Sequence, residues 1–525
     1  MSKVSRGAIF NQSVRNSVPR TRFDLSFTNK FSIKPGYLTP VFCKRVVPGD
    51  VFSFNDSVLL RTQPLVTPAF IDLDVDIRYF YIPNRLIWKN FNDFITNPDS
   101  GIVHPYLKYD SSDPLCANGS VYDYLGYVSS SNTNVPAFAR SLSPLRLRAY
   151  NLIWNTWYRD ENLQNEITVN DSDGGLNEAM NLYNLMLTSW KRDYFTSCLP
   201  DAQFGNAAQA ALDVFLDSNL NSQRVFIDVP GSGWIHANAS YDLGADNGGY
   251  PNATDSTWPS GNSRQWALDP GDSLKAEMSV MQLREMTAVQ KFRELLMTAG
   301  RRIKEFTRAQ FGVDVPDDRA QYPEFLGGGS VPVVIGEVPQ TSSTDSVSPQ
   351  ATLAGRGISS NVINVPAKFV PEYGWIIGVC VVRPRADYFQ GLDRELTQMD
   401  YYDYYNPMFE HIGEQEVLKS ELFGLDAAND GLFGYQSRNA DYKYYNNEIH
   451  GEMRNMSGVS LGNWHIARNF TNTPSLNSSF LECVPDLSRV FAVDPSCFDP
   501  FVVELRHGIS SIRPMSEFST PSLIG

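Results

Sequence analysis

Residues 70–82, FIDLDVDIRYFYI, alternate with period two, and this constrains the chain more than any other feature. Ile71, Leu73, Val75, Ile77 and Tyr79 fall on one face; Asp72, Asp74, Asp76 and Arg78 fall on the other. Such a run is predicted to be a half-buried β-strand with its acids on a wet face. Before it, Val46-Val47-Pro48-Gly49-Asp50-Val51-Phe52 reads as strand, turn, strand, because Pro-Gly sets a tight turn. After it, Pro83-Asn84 ends the strand, and Leu86 to Ile95 is predicted helical with Trp88, Phe91, Phe94 and Ile95 on one side. Further strands are predicted at 223–229, 362–370, 375–383 and 498–505. Strands this far apart fit a mainly β sandwich with expanded loops better than repeating βαβ units.

One long helix is predicted, at 278–311. Met286, Val289, Phe292, Leu296, Ala299, Ile303 and Phe306 recur every three or four residues, with Gly300 weakening the middle. Its other side is basic, which a solvated helix face explains more simply than nucleic-acid contact. The stretches 231–263 and 341–361 are rich in Gly and Ser, and the first reads as a surface loop too polar to own a core. Hydrophobic residues make up 42% of the chain, enough for a large core. The apolar run from Trp375 ends at Arg383, far short of the ~20 residues that span a bilayer. MSKVSRGAIF has no apolar stretch behind its basic residues, so neither a membrane span nor a secretory signal is predicted. The six cysteines are scattered without a Cys-x-x-Cys pair, which favours reduced thiols in a cytosol over a disulfide scaffold.

The net charge of -14 hides a strong asymmetry. Residues 1–45 carry nine basic side chains against Asp24, a balance of +8, whereas 201–274 carry nine Asp against Arg224 and Arg264, a balance of -7. A basic N-terminal arm on an acidic protein suits a shell with nucleic acid inside; a solvated tail explains it equally well. The expected organisation is a basic arm (1–45), a first part of the sandwich with inserted helices (46–200), an acidic surface insertion (201–274), and the long helix with the remaining strands (275–525).

Catalytic patterns are weak. Gly458-Val459-Ser460-Leu461-Gly462 matches a nucleophile elbow, but what precedes it is polar; His465 is too close to serve as base, which leaves His507. His450-Gly451-Glu452 lacks the cysteine pair of a zinc deaminase. Gly327-Gly328-Gly329 lacks the Lys of a phosphate-binding loop and reads as a flexible turn. The Asp72, Asp74, Asp76 row could bind a hard cation, though a strand's wet face is the simpler account. No catalytic residue, metal site or cofactor is expected, and the chain is not expected to be an enzyme. The aromatic runs Tyr401, Tyr402, Tyr404, Tyr405 and Tyr442, Tyr444, Tyr445 read first as subunit contacts and second as base-stacking platforms.

Several segments resemble the major capsid protein of the Microviridae, small single-stranded DNA phages, especially the gokushovirus-like branch. They begin with Val47-Pro48-Gly49-Asp50-Val51-Phe52 and Phe80-Tyr81-Ile82-Pro83-Asn84-Arg85-Leu86-Ile87-Trp88, and continue with Ala288-Val289-Gln290-Lys291-Phe292 and residues 311–321, FGVDVPDDRAQ. Pro323-Glu324-Phe325-Leu326-Gly327-Gly328, Gln340-Thr341-Ser342, Gly413-Glu414-Gln415-Glu416-Val417, Phe433-Gly434-Tyr435-Gln436 and Arg513-Pro514-Met515 complete the set. The segments run in order from about residue 40 to 515. The chain ends at Ser522-Leu523-Ile524-Gly525, without the longer ending associated with gokushoviruses, and none of the family-like segments falls in 201–274.

The resemblance implies an eight-stranded viral jelly roll with long inter-strand insertions, assembled as a T = 1 icosahedral shell around circular single-stranded DNA. It implies a virion protein assembled in the bacterial cytoplasm. The implied partners are further copies of the chain, the genome, a small basic DNA-packaging protein, a scaffolding protein, a minor or pilot protein and a host-surface receptor. Lys3, Arg6, Arg15, Arg20 and Arg22 are the candidate phosphate contacts. Residues 201–274 are the candidate three-fold protrusion, with Trp234, Tyr241, Tyr250 and Trp258 as candidate receptor contacts. The alternative function is a host-receptor or glycan-binding module that forms no shell.

Overall fold

The computed structural model describes residues 19–97, 99–110, 116–127, 139–176, 183–203, 280–299, 321–339, 353–424, 431–454, 461–495 and 497–518, with short main-chain segments between 213 and 277. They form two compact units, one built from residues up to 202 and from 314 onward, the other from 203 to 313.

The first unit is an antiparallel sheet curled on itself. Its strands are β1 (Thr21–Asp24 and Phe27–Ile33), β2 (Thr39–Val46), β3 (Val51–Thr62), β4 (Leu73–Pro83), β5 (Glu324–Pro339), β6 (Leu353–Phe369), β7 (Gly374–Pro384) and β8 (Phe501–His507 and Ile509–Arg513). The order is β1-β8-β3-β6-β5-β4-β7-β2. The first half of β5 pairs with β4, from Glu324 opposite Tyr81 to Val333 opposite Leu73, and its second half pairs with β6. The sheet folds over at that strand. Two four-stranded halves, β1-β8-β3-β6 and β2-β7-β4-β5, then face each other in jelly-roll order. Phe54, Val58, Val503 and Leu505 from one half meet Val75, Ile77, Ile376 and Val382 from the other in a single core.

Strand β4 does not have the wet face its alternation predicts. Phe80 and Ile82, on the side opposite Ile77 and Tyr79, join Trp375, Ile377, Val379 and Val381 of β7 in a second core under the β4–β5 insertion. That layer is supplied by α1 (Asn84–Ile87), α2 (Phe91–Thr96) and α3 (Leu145–Ile153), through Ile87, Trp88, Leu147, Tyr150 and Ile153. The single helix expected at 86–95 is broken between α1 and α2, and Ile95 is exposed, because Trp88 is drawn into this core. Buried Arg148 ties the layer together, donating to Ile87 O at 3.1 Å and Ser172 O at 3.3 Å. Earlier along β4, Asp74 and Asp76 are neutralised by partners, while Asp72, just before the strand, is exposed as expected. Asp76 is bridged to Arg383 and Asp74 to Lys191. A third core joins Trp190, Tyr194 and Phe195 to Tyr388, Leu422, Phe433 and Phe480 of the β7–β8 insertion.

Gly327-Gly328-Gly329 is not a turn but part of β5, at a bulge. A Cβ on Gly328 would sit 2.2 Å from Ile77 O, and Gly327 has φ +147°, so the close approach to β4 needs glycine there. Part of the second Ser/Gly-rich stretch, from Leu353 onward, is likewise strand. In the second unit, 231–263 is not wholly loop: Gly233–His236 pairs with Val225–Val229, and Leu243–Ala245 with Pro251–Ala253. The helix α4 (Val280–Ala299) belongs to this unit, and Val289 and Phe292 of its apolar stripe are exposed.

None of the six cysteines is in a disulfide. Burial pushes the thiols of Cys43 and Cys483 up to about 12, and those of Cys198 and Cys380 higher. Iodoacetamide at about pH 8 is therefore expected to label exposed Cys497 in the native chain and to spare Cys198, Cys380 and Cys483 until denaturant is added, as peptide mass spectrometry would show. Ile377→Ala, in the second core, is expected to cost about 2–5 kcal/mol. Val362→Ala, on the open face of β6, should stay within about 0.5 kcal/mol. Urea unfolding of the unassembled chain reads both.

Candidate subunit and nucleic-acid interfaces

Among the described residues, none packs over the outer face of β1-β8-β3-β6, whose outward side chains are largely exposed. In register across it lie Lys30, Glu504, Leu59 and Ser360, then Ser32, Val502, Arg61 and Ile358, then Thr28, Arg506, Ser57 and Val362. Arg22 lies on the same face beside Ile512 and Val51. With Arg356, the exposed charges are five bases (Arg22, Lys30, Arg61, Arg356, Arg506) against Asp24 and Glu504. A broad sheet face with excess positive charge can neutralise phosphates without reading base sequence.

Of the candidate phosphate contacts, Lys3, Arg6 and Arg15 lie outside the described residues. Arg20 is exposed, and its guanidinium donates to Gly49 O at the Pro-Gly turn. Arg22 Nε donates to Ser510 Oγ at 2.8 Å. Arg61, Arg356 and Arg506 escaped the sequence reading because they are isolated along the chain. Period-two alternation marks each of them as outward-facing on its own strand, but only the strand pairing groups them.

The same turn holds the C-terminal strand. Arg513 Nη2 donates to Asp50 Oδ2 at 2.9 Å, and Asp50, fully buried, also accepts from Val47 N at 2.9 Å. Two of the family-like segments, Val47 to Phe52 and Arg513-Pro514-Met515, are thus in direct contact. Inside the sandwich His507, Asp56 and Tyr79 form a buried cluster, with Tyr79 Oη donating to Asp56 Oδ2 and lying 3.0 Å from His507 Nδ1. Burial and the Asp56 charge hold the Tyr79 hydroxyl well above its ordinary range, so it stays a neutral donor. Both histidines weighed as bases are structural: His507 is fully buried, and His465 Nε2 lies 2.6 Å from Met453 O. Residues 458–460 of the elbow pattern lie outside the described residues.

The two tyrosine runs meet. Tyr401 and Tyr402 rings lie 4.1 Å apart, Tyr402 and Phe409 4.9 Å, and Tyr405 reaches Tyr442 at 6.2 Å. All seven candidate tyrosines are exposed, and Met399 and Met408 beside them are 87% and 86% exposed. Beneath the patch, Arg394 Nη1 donates to Glu421 Oε1 at 2.9 Å, and Tyr194 Oη donates to Glu421 Oε2 at 3.0 Å. Burial raises the Glu421 carboxyl, against the Leu418 N–H, Arg394 and Tyr194, which favour its charged form. Tyr444 and Tyr445 line an adjoining cavity of about 480 Å³. An aromatic, Met-rich patch on a rigid base has the composition of a protein contact. Trp234 lies on the strand Gly233–His236, opposite Asp228; Tyr241, Tyr250 and Trp258 lie outside the described residues.

The core is thus filled by packing and the histidines by structural bonds, while aromatic and charged faces are left for other molecules. That division fits a structural protein that packs against other molecules. Comparison of sequences agrees: residues 12–523 match the phage family described as Capsid protein (F protein), and the chain belongs to that family. It is 31% identical to Capsid protein VP1 of Chlamydia phage 1, across 98% of this chain and 97% of that one. Identity is also 31% to Capsid protein VP1 of Bdellovibrio phage phiMH2K, over 96% of each chain. Against Capsid protein VP1 of Spiroplasma virus 4 it is 29%, over 100% and 99%.

Arg513→Gln would strand the buried Asp50 carboxylate. It is expected to cost about 3–5 kcal/mol, seen as a lower urea midpoint than the wild-type chain, whereas Arg22→Gln, on the exposed face, should leave the midpoint nearly unchanged.

Proposed function

We propose that copies of this capsid protein close into a small T = 1 icosahedral shell around circular single-stranded DNA, assembled in the bacterial cytoplasm. The observation that carries the proposal is the exposed aromatic and apolar surface of a unit whose own cores are already complete. Such a surface is stabilised only by burial against symmetry neighbours. In this reading the tyrosines at 401–405 and 442–445 are subunit contacts. The arm residues Lys3, Arg6 and Arg15, with Arg20, Arg22 and the basic sheet face, neutralise the genome. Residues 201–274 project at the three-fold axes and touch the host receptor through Trp234, Tyr241, Tyr250 and Trp258. A small basic packaging protein, a scaffolding protein and a pilot protein complete the particle.

The test is microscopy with nuclease protection on the fast-sedimenting fraction from cells expressing the chain beside its genomic neighbours. Uniform small particles with protected single-stranded DNA are expected. Only monomers or small oligomers would overturn the shell and favour a host-receptor or glycan-binding module. Deleting residues 2–18 spares Arg20 and β1 while removing Lys3, Arg6 and Arg15. Particles are expected to form with less DNA, and the salt slope of oligonucleotide binding should fall by about 2.

A further inference from the structure

A second cavity, of about 360 Å³, opens at the charged end of β4 and β7, on the side of the sandwich opposite the basic sheet face. Five cations surround it: Arg78, Arg159, Lys191, Arg192 and Arg383. Asp76, Asp160 and Asp74 answer three of them, pairing with Arg383, Arg192 and Lys191. Arg78 has no ion-pair partner among the described residues, and Arg159 Nε is buried without a hydrogen bond. Burial and the charges of Arg383 and Arg385 push the Lys191 ammonium down to about 8, a sign of crowded cations. Trp157 supplies a fixed ring at the rim, its Nε1 donating to Pro323 O at 2.9 Å, with 40% of the residue exposed.

The tyrosine patch has the opposite character. Residues 393–416 carry seven acids (Asp393, Glu395, Asp400, Asp403, Glu410, Glu414, Glu416) against Arg394, a balance of -6. The two surfaces adjoin: Lys191 and Arg192 line the cationic cavity, and Tyr194 and Phe195, a few residues on, line the cavity beside the tyrosines.

We propose that a second copy of this chain fills the cationic cavity, inserting the acidic, aromatic segment 399–410 against Arg78, Arg192 and Trp157. Because cavity and segment belong to the same unit, two copies related by a two-fold axis make the contact twice, each giving its segment and receiving the other's. A chain with a net charge of -14 repels its copies at long range, and this contact supplies the local attraction that sets their register. The enclosed genome is a poorer occupant, since the basic sheet face and this cavity look in opposite directions. The inference rests on the shell reading and names the surface that the tyrosine patch meets.

The test uses Arg192→Glu, whose side chain is 71% exposed in the wild type, and Glu410→Lys, in full-length chains whose thermal midpoints match wild type. Each variant alone is expected to lose dimers and particles at least tenfold by mass photometry. An equimolar mixture should recover dimers, because the carboxylate introduced in one copy then meets the ammonium introduced in the other, while the second contact stays native. Single variants that assemble like wild type, or a mixture that stays monomeric, would overturn the inference. So would an oligonucleotide photo-crosslinked to Trp157 in intact particles, which would assign the cavity to nucleic acid. Failure of the wild type itself to form particles beside its genomic neighbours would instead reject the shell reading.

Discussion

Everything else in the first unit depends on one constraint: strand β7 and the adjoining end of β4, in the half-sheet β2-β7-β4-β5, are apolar on both faces. Strand β7 buries nearly every residue from Gly374 to Pro384, so neither of its faces can be left to water. One face meets the other half-sheet. The second must be covered by something the sandwich does not own, and the β4–β5 insertion provides it through Trp88, Leu147, Tyr150 and Ile153. At roughly 1.5–3 kcal/mol for each fully buried large apolar side chain, this layer is a major part of the fold's stability. The insertion is therefore a structural member and not an ornament on a loop.

Covering one face leaves the other to define the molecule's polarity. The open face of β1-β8-β3-β6 alternates cleanly, with Phe501, Val503 and Leu505 inward and Val502, Glu504 and Arg506 outward. Its exposed bases, Arg22, Lys30, Arg61, Arg356 and Arg506, outnumber its acids. The cationic cavity opens instead on the other half-sheet, at Asp76, Arg78 and Arg383 of β4 and β7. The protein thus separates a sheet face suited to a polyanion from insertions suited to neighbours of its own kind.

Much of this was legible along the chain. The strands at 70–82, 362–370, 375–383 and 498–505 are present in β4, β6, β7 and β8, because period two and β-branched content are local properties. The tyrosine runs stood out as dense aromatic patches suited to contacts, and all seven of those tyrosines are exposed. What was illegible is pairing across distance. Asp50 and Arg513, or Asp76 and Arg383, look like unrelated surface charges until the sheet brings them together. The basic face is assembled from Arg22, Arg61, Arg356 and Arg506, one from each of four strands, so no window of sequence contains it.

The sequence by itself determined that the chain is a β-sandwich with long insertions, that the segments now in β2, β3, β4, β6, β7 and β8 are strands, and that one end is basic while the middle is acidic. Only the tertiary structure decided which strand faces are wet. The acids of 70–82 were expected in water, yet Asp76 is buried on Arg383 because an insertion supplied from far along the chain closes over it. Alternation records that a strand has two unlike faces. What covers each face is a matter of long-range packing, which has no local signature.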